Sequence, residues 1–293
     1  VVNQPNCEFL LELYSLNTVQ PLAQVITKGN GPGEMFSCAL GLHSNASDNF
    51  YLQDSNSKTC YIVDLKTLLN SRRFVPDEQF RYSSEVLPTS DLCLLDDNRY
   101  IGYHMWYLDD KQFSKVDSPI GYYQKGEDSG KGMDDFPFFV ASVNGARLFK
   151  NPQTQELWTA DMHRDAIRIY NDSLKQIREL VGPDHFSPEY TRRQIDAPVA
   201  FVTFADECDY HAYTDYYITD KHIYLVYEGN KHFDMKNLSP VEIFKLDFDG
   251  NLLCNYKLDR YVYSISINRK EDTLYCASRP SVMEPPVILK YKL

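Results

Sequence analysis

No stretch of this chain approaches the roughly 20 consecutive apolar residues that a membrane-spanning helix needs. Long helical periodicity is also missing and alanine is scarce, so an all-helical fold is excluded. Basic runs stop at the pairs Arg72-Arg73 and Arg192-Arg193, and the net charge is −11. A nucleic-acid binder would carry a basic patch or stripe, so no nucleic-acid partner is expected. The acidity serves solubility first and permits a cationic partner or a metal without implying one. No CxxC pair occurs among the seven cysteines, Cys7, Cys38, Cys60, Cys93, Cys208, Cys254 and Cys276. Five of them sit in apolar strand-like runs, which points to buried free thiols acting as small hydrophobes. No GxSxG elbow is present, so nothing signals a serine hydrolase. No leader pattern precedes Val1, and the chain reads as a mature or trimmed form, so the missing leader does not indicate the cytosol.

What is abundant is aromatic: 22 Tyr and 16 Phe, residues that suit pleated, half-buried surfaces. One pattern recurs at intervals of 40–50 residues, the spacing of propeller blades. An apolar strand with an aromatic and an acidic end leads through a polar hinge to a second strand. Asn49–Asp54 with Thr59–Asp64 is the clearest copy, and Glu156–Asp161 with Ala166–Tyr170 repeats it. His222–Glu228 with Val241–Leu246, and Thr273–Ser278 with Val287–Tyr291, follow the same rhythm. Turn residues at Asn17, Asn171-Asp172 and Asp249-Gly250-Asn251 sit at hairpin positions.

These observations predict an all-β, six-bladed β-propeller of four-stranded antiparallel sheets, one domain over residues 1–293. The sheets fall at about 1–29, 37–76, 91–125, 142–181, 199–257 and 261–293, and the chain ends are expected to close the ring. Gly126–Pro137 and Gly229–Pro240 read as loops. Pro183–Pro198 reads as an excursion with one or two helical turns at Tyr190–Ile195, the place for any helix in the chain.

The turn Gly29-Asn30-Gly31-Pro32-Gly33-Glu34 is the most distinctive segment. Gly31 and Gly33 are expected in backbone conformations hard for other residues. It is no phosphate loop, because Glu34-Met35 stands where Lys-Ser/Thr is needed. Asp247-Phe248-Asp249-Gly250-Asn251 alternates oxygens like a calcium loop, but lacks the Glu at position 12 and reads as a hairpin turn.

The GxGPGE turn, with Phe50-Tyr51-Leu52-Gln53-Asp54 after it, resembles the TolB-like six-bladed propeller family of Gram-negative anaerobes. Ala146–Pro152 with Glu156–Ala160 is similar to that family's middle blade. The resemblance implies a periplasmic or cell-surface protein, usually exported and often lipid-anchored upstream of residue 1, with no established activity and no catalytic residues to carry over.

In a propeller, the ends of the second strands and the loops after them face one mouth of the ring. Those places hold Asp54, His104, Asp161, His163, Arg164, Glu228 and Arg279. Two histidines and three carboxylates can hold a divalent metal, and two arginines an anionic substrate. Solvated or mutually paired strand ends explain the same residues. Tyr103, Trp106, Tyr107, Tyr122 and Tyr123 make the third blade aromatic, fit either for packing or for a sugar or protein partner. The expected function is a binding module for a protein or glycan partner, without a required cofactor. The alternative is a metal-dependent hydrolase or lyase with its site at the central channel.

Overall fold

The computed structural model describes residues 9–15, 18, 20–41, 49–88, 90–95, 98–107, 116–128, 138–140, 142–196, 199–205, 209–230, 238–279, 281, 284 and 286–293. The chain forms two compact units, Val1–Ser83 with Gln124–Asp128, and Ser84–Tyr123 with Ser129–Leu293.

In the first unit, β1 (Phe9–Ser15) and β2 (Gln20–Lys28) make an antiparallel hairpin, and β3 (Glu34–Met35) pairs parallel to β2. The Gly29–Glu34 turn reverses the path between them. Gly33 sits at φ +81°, as expected of it, a region open to glycine. Gly31, expected in a similar conformation, does not have a positive φ; its constraint is steric, because a Cβ there would stand 3.0 Å from a Glu34 carboxylate oxygen. The second sheet is antiparallel, from β4 (Ala39–Leu40), β5 (Asn49–Asp54), β6 (Thr59–Asp64) and β7 (Glu78–Arg81). Leu10, Ile26, Met35, Leu52, Val63 and Leu68 form this unit's core.

Leu68 comes from α1 (Leu65–Ser71), the single α-helix among the described residues. No helix was expected there. Asp64 ends β6 and caps the helix by accepting the Thr67 amide at 2.6 Å, while Leu65, Leu68 and Leu69 supply helical spacing.

The second unit holds five sheets among its described residues. The first comprises β8 (Cys93–Leu94), β9 (Arg99–Tyr103) and β10 (Ile120–Gln124). After β11 (Phe138–Val140) comes a four-stranded antiparallel sheet, β12 (Ala146–Lys150), β13 (Leu157–Asp161), β14 (Ala166–Tyr170) and β15 (Gln176–Val181). Next are β16 (Tyr190–Asp196) and β17 (Val199–Phe204), paired antiparallel, with β11 parallel against β17. The helical turns expected at Tyr190–Ile195 are therefore a strand. Tyr, Thr and Ile favour extended backbone, and β17 supplies the hydrogen-bond partners that a short uncapped helix would lack. A second four-stranded sheet follows, β18 (His211–Ile218), β19 (Ile223–Asn230), β20 (Glu242–Leu246) and β21 (Leu252–Lys257). The last is β22 (Val262–Ile267), β23 (Thr273–Ser278) and β24 (Val287–Lys292).

Of the seven sheets among the described residues, six overlap the expected segments, with β3 and β7 beyond the bounds expected for the first and second, and the β11–β17–β16 sheet is additional and takes β17 from the expected fifth. Three are four-stranded, and two strand pairings are parallel where antiparallel ones were expected.

Successive sheets of the second unit share apolar cores, and β19 shows how. Ile223, Leu225 and Tyr227 pack with Trp158, Ile169 and Phe244, while Tyr224 and Val226 pack with Ile265, Leu274 and Cys276. Side chains alternate across a strand, so one strand feeds two cores. β13 does likewise: Trp158 and Ala160 enter one core, Leu157 the core with Ile101, Tyr103 and Leu148.

Candidate functional site

Asp54 belongs to the first unit and is spent on its own turn. Its Oδ1 accepts the Ser37 hydroxyl at 2.9 Å and the Asn56 amide at 3.0 Å. The other six expected residues lie in the second unit.

β13 ends at buried Asp161, and the chain reverses through Met162–Asp165 into β14. Arg164 Nη1 donates to Asp161 Oδ2 at 2.9 Å, and Arg168 Nη1 lies 3.5 Å from the same oxygen. Two guanidiniums thus share one carboxylate, so Asp161 and Arg164 form a structural ion pair.

His163 projects from the same reversal and is buried. Its Nδ1 lies 2.7 Å from the Tyr210 carbonyl oxygen. Donation to that carbonyl leaves the ring lone pair on Nε2. Burial lowers its pKa to about 4, against the Tyr210 carbonyl, which favours the charged form.

Beside it stand two residues that were not singled out from the sequence, Asp209 and His211. Residues i and i+2 of an extended chain project to one side, and Asp209 Oδ1 lies 3.4 Å from His211 Nε2. The same oxygen is 3.7 Å from His163 Nδ1. The two imidazoles meet edge to face, with centroids 5.1 Å apart at 87°. One ring nitrogen from each histidine and one Asp209 oxygen all lie within 4.8 Å of one another. The Phe204 ring walls the set at 4.6 Å from His163. The sequence signal is the Asp-Tyr-His run where β18 begins. It is silent in isolation because its partner His163 is 46 residues earlier, on another sheet.

Glu228, near the end of β19, is buried, with its Oε2 3.5 Å from His211 Nδ1. Burial raises its pKa to about 7, and the nearby Thr214 and Tyr261 hydroxyls pull the other way. Burial likewise lowers the His211 pKa, opposed by Asp209. Arg279, just after β23, lies over the Tyr263 ring at 5.2 Å, and its charge offsets the effect of burial on Tyr261. Glu228 sits among the Thr214 and Tyr261 hydroxyls and His211, Asp209 Oδ1 beside His211, and Arg279 Nε is buried with no hydrogen-bond partner among the described residues. His163 and Glu228 are thus linked through His211, and Glu228 to Arg279 through Tyr261.

His104 is placed elsewhere: its Nδ1 shares a hydrogen bond with the Tyr123 hydroxyl. Of the aromatics in that blade, Tyr103 and Trp106 are buried, Tyr123 stacks on Tyr100, and Tyr122 is exposed. The Asp247 segment is a hairpin turn, Asp247 Oδ1 accepting the Asp249 and Asn251 amides at 3.0 and 2.8 Å.

A family model described as TolB-like 6-blade propeller-like matches residues 4–270. The chain belongs to this family. Among solved structures, a DUF4221-family member from Bacteroides vulgatus is similar to this TolB-like chain at TM-score 0.53 and 10% identity, over 96% of this chain and 86% of its own. A candidate exported protein from Bacteroides fragilis aligns at TM-score 0.43 and 13% identity, over 92% and 74%. BamB from Moraxella catarrhalis aligns at 0.36 and 10%, over 96% and 78%. At these identities the first likeness concerns the fold alone. No curated protein matches the TolB-like chain significantly in sequence.

Proposed function

We propose that this TolB-like chain is an exported binding module for a protein or glycan partner, built as one six-bladed ring over residues 1–293. Family membership supports the blade number and the export to the periplasm or cell surface, with a lipid anchor as the means of retention. The observation that carries the binding reading is Arg279 Nε, buried without a protein hydrogen bond among the described residues, in a cluster with Tyr261, Thr214 and the buried Glu228 carboxylate. An unpaired buried donor of this kind costs on the order of 1–3 kcal/mol unless water or a ligand satisfies it. A polar partner that accepts from Arg279 supplies what the fold does not.

Glycan and peptide libraries screened against the purified chain test this. The expected result is one bound class, weakened roughly tenfold or more by Arg279→Ala while the fold is retained. Binding unaffected by Arg279→Ala and Glu228→Ala, or no bound class at all, overturns it. Cell fractionation tests the export separately. The second reading, a metal-dependent hydrolase or lyase, is favoured by the His163, Asp209 and His211 set alone.

A further inference from the structure

Three donor atoms of the kinds that transition metals select meet at one point of the second unit. Two are imidazole nitrogens and the third is a carboxylate oxygen, all within 4.8 Å of one another. Around a tetrahedral zinc ion, with bonds of about 2.0–2.1 Å, ligand atoms stand roughly 3.3 Å apart. A separation at the 4.8 Å limit therefore needs a contraction of about 1.5 Å. We infer that His163, Asp209 and His211 form a binding site for one divalent first-row transition ion.

Four features beyond proximity favour it. Metal-binding histidines characteristically donate their second ring N–H to a carbonyl or carboxylate, which fixes the tautomer and orients the ring. His163 Nδ1 has the Tyr210 carbonyl at 2.7 Å for this, which makes Nε2 its ligand atom while Nδ1 stands 3.7 Å from Asp209 Oδ1, and His211 Nδ1 has Glu228 Oε2 at 3.5 Å. His211 turns its other nitrogen, Nε2, to Asp209 at 3.4 Å. Asp209 Oδ1 is buried, 3.4 Å from His211 Nε2 and 3.7 Å from His163 Nδ1, although the side chain as a whole is half exposed. Asp161 balances the adjacent Arg164 charge at 2.9 Å, so that the guanidinium does not stand as an uncompensated cation beside the ion.

Two imidazoles and one carboxylate are the ligand count of an open site, which leaves a coordination position for water or a partner's donor. Imidazole donors select zinc, copper, iron or nickel over magnesium and calcium. Zinc is the probe of choice because it adds no redox chemistry. The inference deepens the metal-dependent second reading and does not need the glycan or peptide partner. Zinc binding without a bound partner class, or the reverse, tells the two apart.

The test is zinc titration of the chelator-stripped full chain by calorimetry. One ion per chain is expected. His211→Ala and Asp209→Asn should each weaken binding roughly 100-fold, and Glu228→Gln, which removes the carboxylate behind His211, roughly tenfold. His185→Ala, at an exposed histidine outside the set, should leave it unchanged. Cobalt(II) added to the unaltered chain should give the intense visible absorption of a low-coordinate ion, a readout that does not depend on any variant folding. Sub-stoichiometric zinc, a weak cobalt spectrum of octahedral type, or equal losses from His185→Ala and His211→Ala overturns the inference.

Discussion

The Glu34 carboxylate folds back over its own turn and accepts the Gly31 amide at 2.7 Å, while the Glu34 amide donates to the Gly31 carbonyl at 3.0 Å. This reciprocal pair makes the GPGE turn a closed unit and explains the acid at its end. A carboxylate so placed satisfies an amide that the turn cannot pair otherwise. Gly33→Ala, at φ +81°, should destabilise by about 1 kcal/mol or more, and Glu34→Ala by a similar amount through the lost charged hydrogen bond. Gly31→Ala should cost less in the Glu34→Ala background, because the clash at Gly31 is with that side chain. Urea unfolding of the unaltered chain, the three single variants and the double variant measures all three.

Asp165 ties a loop to the β13–β14 reversal. Its Oδ2 accepts the Asp184 and His185 amides at 2.6 and 2.8 Å, and its Oδ1 the Tyr213 hydroxyl at 3.3 Å. Asp165→Ala strands three donors and should cost about 3 kcal/mol or more. A Cβ on Gly182 would stand 1.8 Å from Asp165 Oδ1, so Gly182→Ala should disturb the same network. The two changes together should cost less than their sum in equilibrium unfolding, since both remove the same bonds.

His104 gives a pH dependence of known sign. Burial lowers its pKa from 6.5 to about 4, with Glu85 opposing. Between those values the unfolded chain binds a proton that the folded chain does not. Its contribution is therefore fully present above pH 6.5 and is lost as pH falls toward 4, by an amount of about 3 kcal/mol. Urea midpoints from pH 7.5 to 4.5 should fall less steeply for His104→Asn than for the unaltered chain. Parallel slopes would mean that the imidazole is charged in the folded state.

Thiol reactivity should sort by burial. Burial raises Cys38, Cys60, Cys93 and Cys276 to about 12, so almost no thiolate exists at neutral pH. All four and Cys254 are free, and Cys254 is partly exposed. Alkylation of the native chain mapped by mass spectrometry should label Cys254 well before these four. Early modification of Cys60 or Cys276 would contradict the packing of β6 or β23.

Strand alternation, aromatic content and hairpin residues are enough to locate six of the sheets, because each records which face of a strand is buried. The same local logic makes Gly33 and the Asp247 turn legible, since a turn's chemistry lies within five residues. It fails where local preference and tertiary partner compete. Tyr190–Ile195 mixes strand-favouring Tyr, Thr and Ile with helix-favouring Arg and Gln, and β17 makes it a strand. α1 hides because its cap, Asp64, is also the last residue of a strand. The candidate site divides in the same way. Strand-end position points to Asp161, His163 and Glu228 from sequence. What each faces depends on the stacking of one sheet on the next: Asp161 meets two arginines, while His163 meets an Asp-x-His pair from the edge of another sheet. Hydrophobic periodicity encodes burial, a property of a strand and its two faces. Convergence of side chains 46 residues apart is a property of how whole sheets pack, and only the tertiary structure decides it.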